Sequence, residues 1–78
     1  MSKNLISKVA IAVKNSRKIC NLSQEDLADR SGIDRTYISG VERGVRNITL
    51  ESLESIVTAL DVSLNDFLQI LIDTDKKE

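Results

Sequence analysis

The chain has 78 residues, of which 41% are hydrophobic and 29% are charged, and its formal net charge is −1. This length and composition predict one soluble domain and exclude disorder along the whole chain. No apolar run approaches the roughly 18 residues of a membrane span. The N-terminus has no signal-peptide pattern, and the single cysteine, Cys20, suits a reducing compartment, so we expect a cytoplasmic protein without membrane contact.

The composition lacks the usual catalytic residues of most enzyme classes. Histidine is absent, so zinc sites and Ser-His or Cys-His nucleophile pairs lack a partner. The glycines Gly32, Gly40 and Gly44 do not form a phosphate-binding loop. Paired carboxylates stay possible by composition, but a short helical chain has little room for a substrate pocket. We therefore expect no catalytic residue, metal or cofactor, and a protein that is not an enzyme.

Charge is divided unequally along the chain. Residues 1–47 contain nine Lys or Arg and five acids, a net charge of +4, whereas residues 48–78 contain two Lys and seven acids, a net charge of −5. This division fits a molecule with one face towards phosphates and another turned away from them. Chance clustering of exposed charges is the alternative at such small counts.

Apolar spacing and capping residues predict an all-α fold of five helices. The first covers about residues 5–20, with Asn21 as its stop signal. We expect Cys20 to be a small core residue. The inward stripe of this helix is predicted to be Leu5, Val9, Ala12, Val13, Ser16 and Cys20.

The second and third predicted helices are short and follow each other closely. Ser23 and Asp26 form a capping box for a helix over residues 24–31, which ends at Gly32 because a positive φ suits glycine. Asp34 then caps a helix over about residues 35–43.

Glycine occurs at two further positions around the third helix. Gly44 is predicted to stop it. Gly40 lies in its middle and costs about 1 kcal/mol relative to alanine, so we expect a close approach there by the second helix or by a DNA backbone.

Two apolar helices are predicted to complete the chain. Thr49 caps the fourth, Ser63 with Asp66 caps the fifth, and residues 73–78 are expected to fray. The core-spaced residues are Leu50, Leu53, Ile56, Val57 and Leu60 in the fourth helix, and Leu64, Phe67, Leu68 and Leu71 in the fifth.

The segment at about residues 24–43 has the pattern of a helix-turn-helix. Ala28 is small enough for the two helices to cross closely, Gly32 makes the turn, and Ile33 and Ile38 hold the third helix on the core. In this motif the second helix of the pair enters the DNA major groove.

The exposed face of the third helix is predicted to bind DNA. Arg35 can contact guanine O6 and N7 together, and Tyr37 can place its ring against a thymine methyl group. Single polar residues on a helix are often only a solvated face, but here they converge at its leading end. The predicted base contacts are Arg35, Thr36, Tyr37 and Ser39, and the predicted phosphate contacts are Gln24, Arg43, Arg46 and Asn47.

Three stretches are similar to one known family: Ser-Gln-Glu-Asp-Leu-Ala at residues 23–28, Arg-Thr-Tyr-Ile-Ser-Gly-Val-Glu-Arg-Gly at residues 35–44, and Arg46-Asn47 followed by Leu50 and Leu53. Over about residues 5–72 the chain resembles the lambda-repressor-like (XRE) helix-turn-helix family. Its length, without a sensor or catalytic domain, resembles the controller proteins of restriction–modification systems. Those are homodimeric transcription factors that bind operators upstream of their own and the endonuclease genes, activating at low occupancy and repressing at high occupancy.

The resemblance implies one compact five-helix DNA-binding domain over residues 1–78, with an ordered core at about residues 5–72. It also implies an ion pair between Arg17 and Glu42 that ties the third helix to the first. The chain departs from many relatives at Ile48, where they carry proline, and at Ser31, where they are often more apolar.

The fifth helix has more apolar residues than a small core needs, which predicts a two-fold dimer interface anchored by Phe67. The alternative is that all of these residues belong to the core. A dimer would place two recognition helices about one DNA turn apart, roughly 34 Å, on inverted-repeat operators of double-stranded DNA. The predicted interface residues are Leu64, Phe67, Leu68, Ile70 and Leu71.

The predicted function is therefore a sequence-specific transcriptional regulator of the controller type. A phage-type repressor or an antitoxin DNA-binding protein is an alternative within the same class, and a helical adaptor that binds only protein is an alternative of another class. A contact with RNA polymerase is left open by the sequence.

Overall fold

The predicted five helices are all present in the computed structural model, which describes residues 4–76. The ends of the first three helices lie within about one residue of their predicted positions, and the fourth begins directly after its predicted cap, Thr49. The helices are α1 (Asn4–Ile19), α2 (Gln24–Ser31), α3 (Arg35–Glu42), α4 (Leu50–Ala59) and α5 (Leu64–Lys76).

The far end of α5 differs from the prediction. Residues 73–76 were expected to fray, but the helix continues through Lys76. Thr74 is buried, and its hydroxyl donates a hydrogen bond to the Ile70 carbonyl oxygen at 2.9 Å. The helix therefore extends beyond its apolar stripe, with Thr74 buried near its end. Residues 77 and 78 of the predicted tail lie outside the described residues.

The predicted capping box starts α2. The Asp26 N–H donates to the Ser23 Oγ at 2.9 Å, and the Ser23 N–H donates to the Asp26 Oδ2 at 3.0 Å. The second of these bonds stabilises the charged carboxylate and lowers the pKa of Asp26 below its ordinary value. Two otherwise unpaired backbone donors are thereby satisfied, which fixes the first residue of α2.

Left-handed residues end the short helices. Gly32 has a φ of 73° after α2, and Gly44 has a φ of 72° after α3. Beyond α3 the Gly44 N–H donates to the Val41 carbonyl oxygen at 3.0 Å and the Val45 N–H donates to the Gly40 carbonyl oxygen at 3.1 Å. This paired arrangement turns the chain back along α3 and favours a residue without a Cβ at position 44.

One core joins the five helices. Its largest fully buried side chains include Phe67 from α5, Leu27 from α2, Ile38 from α3 and Ile56 from α4. α1 contributes the middle of its predicted stripe: Val9, Ala12, Val13 and Ser16.

Several expectations about burial are wrong, among them the core position of Leu50 in α4, which is 85% exposed. Phe67 is only 1% exposed, so its ring belongs to the core of one subunit and offers no anchor to a partner. Cys20 is exposed because it lies just beyond the end of α1, with its Sγ 3.6 Å from the Leu60 carbonyl oxygen. Leu5, at the other end of the predicted stripe, is also exposed.

Within residues 4–76 no single helix is long and apolar enough to cross a membrane. α4 and α5 are long and apolar enough only when taken together, and the two helices are bent by 102° at the break between them.

Ser16 is a weak point of this core. Its side chain is buried, and its Oγ has no hydrogen-bond partner among residues 4–76. We expect Ser16→Ala to raise the free energy of unfolding by about 1 kcal/mol, because it removes an unsatisfied hydroxyl from a helix interior. Urea denaturation followed by circular dichroism measures the change.

Ser55 provides the matched control. It also lies inside a helix, but its Oγ donates to the Glu51 carbonyl oxygen at 3.2 Å. Ser55→Ala should change stability by no more than about 0.5 kcal/mol. A loss of stability in Ser16→Ala would show that its hydroxyl is satisfied in solution.

Candidate nucleic-acid interface

α3 has one buried and one exposed side. Ile38 and Val41 are buried in the core, which holds the helix from behind. The N-terminal end is fixed by Asp34, whose Oδ2 accepts a hydrogen bond from the Thr36 N–H at 2.9 Å. The opposite side therefore presents Arg35 and Thr36 to solvent, as the sequence predicts.

The other predicted DNA contacts lie around this exposed side. Tyr37 and Ser39 are half-buried, whereas Arg43, Arg46 and Asn47 are exposed. A shallow depression joins residues from both predicted sets, and it is lined by Thr36, Gly40, Arg43, Val45, Arg46 and Asn47. Polar donors from α3 and from the following loop thus form one continuous surface.

An ion pair holds the far end of α3 against α1. The Arg17 Nε donates to the Glu42 Oε2 at 2.7 Å, and the Arg17 Nη2 donates to the Glu42 Oε1 at 3.0 Å. The two side chains are only 11% and 3% exposed. The bond to Glu42 raises the pKa of Arg17, and a third donor, Nη1, bonds the Leu22 carbonyl oxygen at 2.8 Å. The pair implied by the family resemblance is present.

Gln24 connects this pair to the exposed face. Its Nε2 donates to the Glu42 Oε1 at 3.0 Å, and its Oε1 accepts a weaker bond from the Arg35 Nη1 at 3.4 Å. The sequence predicts only a phosphate contact for Gln24, and both of these partners were missed. The sequence signal that could have found them is Glu42, an acid on the helix that is predicted to face DNA. Its carboxylate only accepts hydrogen bonds and needs donors from more than one direction.

Arg46 lies against α3, with its stem in ordinary van der Waals contact beside Gly40. Its guanidinium carbon is 4.5 Å from the centre of the Tyr37 ring. A Cβ built on Gly40 would lie 3.5 Å from both the Cβ and the Nε of Arg46. Of the two approaches expected at Gly40, that by α2 is wrong, because the nearest atoms belong to the residues that fold back over α3 after Gly44. The approach by a DNA backbone stays a prediction.

Three exposed arginines surround α3, beside one exposed acid, Asp34 at its N-cap. Arg35, Arg43 and Arg46 all reach solvent, while the acid of the same helix, Glu42, is buried and paired. Such a surface attracts phosphates, and the arginine side chains can also donate to base edges.

Two short helices joined at a left-handed glycine, the second with a polar and basic exposed side, define a helix-turn-helix domain. Residues 13–67 match the model of the helix-turn-helix family, and the chain belongs to this family, of the XRE type.

Several relatives carry the name control protein or controller protein. Control protein C.SmaI of Serratia marcescens is 50% identical over 56 residues, which are 72% of this chain and 67% of that protein. The crystal structure of the wild-type controller protein C.Esp1396I has a TM-score of 0.89 and 48% identity, covering 91% of this chain and 93% of that one. The C.Esp1396I tetramer in complex with its natural 35 base-pair operator has a TM-score of 0.88 and 48% identity, with the same coverage.

Removing one partner of the buried pair tests its structural importance. We expect Glu42→Ala to lower the free energy of unfolding by about 3–5 kcal/mol, because Arg17 would keep its charge in a nearly buried position. Urea denaturation at neutral pH measures the loss.

The control is Glu54→Ala, which removes an exposed acid from α4. Its effect should stay within about 0.5 kcal/mol. Equal stability of the two variants would show that the ion pair contributes nothing beyond an ordinary surface charge.

Proposed function

We propose that this protein is a sequence-specific DNA-binding transcriptional regulator, a controller protein of a restriction–modification system. It binds inverted-repeat operators as a homodimer and both activates and represses transcription. The observation that supports this most strongly is the exposed side of α3, where Arg35 and Thr36 lead into a basic loop. The operator-bound tetramer of the similar C.Esp1396I supports the same function.

The proposed contacts follow the geometry of the site. α3 lies in the major groove, and Arg35, Thr36, Tyr37 and Ser39 contact base edges. Arg35 is the strongest candidate for reading sequence, because its planar guanidinium matches guanine O6 and N7. The residues that contact phosphates are Gln24 at the start of α2, together with Arg43, Arg46 and Asn47 beyond α3.

The proposed dimer covers an exposed apolar face. Leu64 and Leu68 of α5 are exposed there, with Leu64 at 64%, while Ile70 and Leu71 are half-buried against the core. The face is larger than the sequence predicts, since Leu50 of α4 is 85% exposed beside it.

A second copy of this chain is the proposed occupant of that face. A groove runs between Leu5 of α1, Leu50 of α4 and Leu68 of α5, and none of the described residues lining it belongs to α3. Covering the groove therefore leaves both recognition helices free. Burying exposed leucines supplies a hydrophobic driving force for association, and a two-fold contact makes the operator an inverted repeat.

The regulator acts on cellular DNA, so we place it in the cytoplasm, associated with the nucleoid. Gradual filling of adjacent operator sites gives the proposed change from activation to repression. A phage-type repressor or an antitoxin would use the same α3 surface, and the genes beside the operator distinguish these from a controller.

Selection of bound sequences from random duplex DNA tests the proposal. We expect one enriched inverted repeat, with half-site centres about 34 Å apart or one helical turn. Affinity for it should fall steeply as salt rises, because bound phosphates release counterions. No enriched motif, together with binding that ignores salt, would indicate the protein-binding adaptor instead.

Leu68→Asp tests whether the proposed dimer face is the source of the inverted repeat. It places a charge in the proposed dimer face without touching α3. The same selection should then return isolated half-sites at weaker affinity, and an unchanged inverted repeat would show that the dimer forms elsewhere.

A further inference from the structure

Arg46 is held in place before any DNA is present. The residue lies in the loop between α3 and α4 and is exposed, so its long side chain has solvent available on several sides. Instead its guanidinium lies over the Tyr37 ring at 4.5 Å, and its stem lies against Gly40. Two separate contacts thus direct one side chain back along the recognition helix.

Tyr37 is a rigid platform for this contact. The residue is half-buried, and its side chain packs against the core cluster. An aromatic ring attracts a guanidinium through its negative face, and the attraction is strongest where water is partly excluded. A ring fixed by core packing therefore restricts the far more mobile arginine, which reduces the conformational freedom that Arg46 would lose on binding.

The stem of Arg46 packs beside Gly40 in the middle of α3. A Cβ added at Gly40 would lie 3.5 Å from the Cβ and Nε of Arg46, which is an ordinary van der Waals distance, so alanine would fit there as well. The contact that directs the Arg46 guanidinium is therefore the Tyr37 ring.

We propose that Tyr37 is a positioning residue, which acts on DNA through Arg46 rather than through its own hydroxyl. The aromatic face holds the Arg46 guanidinium over Tyr37, and Arg46 lines, together with Thr36, the depression where α3 and the loop meet. This inference rests on the proposed function of α3 in DNA binding, and it revises the direct contact between the Tyr37 ring and a thymine methyl group.

Four variants separate the two roles of Tyr37. Tyr37→Phe keeps the ring and removes the hydroxyl, whereas Tyr37→Leu keeps apolar bulk on the core and removes the ring. Arg46→Ala and the Tyr37→Leu, Arg46→Ala double variant complete a thermodynamic cycle. Each is measured by fluorescence anisotropy on a duplex carrying the selected motif, after circular dichroism has shown that it is folded.

We expect Tyr37→Phe to stay within about twofold of the wild type and Tyr37→Leu to lose about threefold to tenfold in affinity, as for a partly exposed cation–π contact. In the Arg46→Ala background, Tyr37→Leu should cause no further loss. An equal loss in Tyr37→Phe and Tyr37→Leu, or a Tyr37→Leu loss that persists without Arg46, would overturn the proposal.

A second measurement needs no DNA. The Arg46 Nε–H proton lies near an aromatic face, so its NMR resonance should be shifted upfield in the wild type and Tyr37→Phe and return to the random-coil position in Tyr37→Leu. An unshifted wild-type resonance would overturn the positioning role, even with tight DNA binding. Failure of the wild type to bind any duplex would overturn the proposed function, whatever the state of Arg46.

Discussion

The ion pair between Arg17 and Glu42 holds the far end of the recognition helix against α1. α3 has only eight residues, and a helix of that length is marginal without tertiary contacts. Ile38 and Val41 attach it to the core, but apolar contacts alone allow a short helix to slide or rotate. Two hydrogen bonds between a planar guanidinium and a carboxylate fix direction as well as distance, at 2.7 and 3.0 Å.

The Glu42 carboxylate also orients a side chain on the DNA-facing surface. A carboxylate only accepts hydrogen bonds, so Gln24 must turn its NH2 group towards Glu42. The carbonyl oxygen of Gln24 then points outward, where Arg35 donates to it. Glu42, Gln24 and Arg35 thus form a chain of hydrogen bonds from the buried ion pair to the proposed base contact. The negative charge of Glu42 decides how the Gln24 amide is oriented.

The sequence predicts this fold well where local chemistry decides it. The capping box at Ser23 and the stop at Gly44 depend on residues within one or two turns, and both are present. The role of Phe67 as a dimer anchor and the burial of Cys20 were mispredicted, because exposure depends on how α5 and the end of α1 meet helices distant in sequence. The contact of Arg46 with α3 was also missed, since spacing along the chain does not reveal a loop that folds back.

Arg35→Ala tests most directly whether α3 reads sequence through Arg35. Affinity is measured for the selected operator and for random duplex of equal length, at one fixed salt concentration. We expect a loss of about 1–3 kcal/mol on the operator, with discrimination relaxed at one base pair of each half-site and little change on random DNA. Equal losses on both duplexes would contradict a base-reading role, because Arg35 would then contribute only its charge.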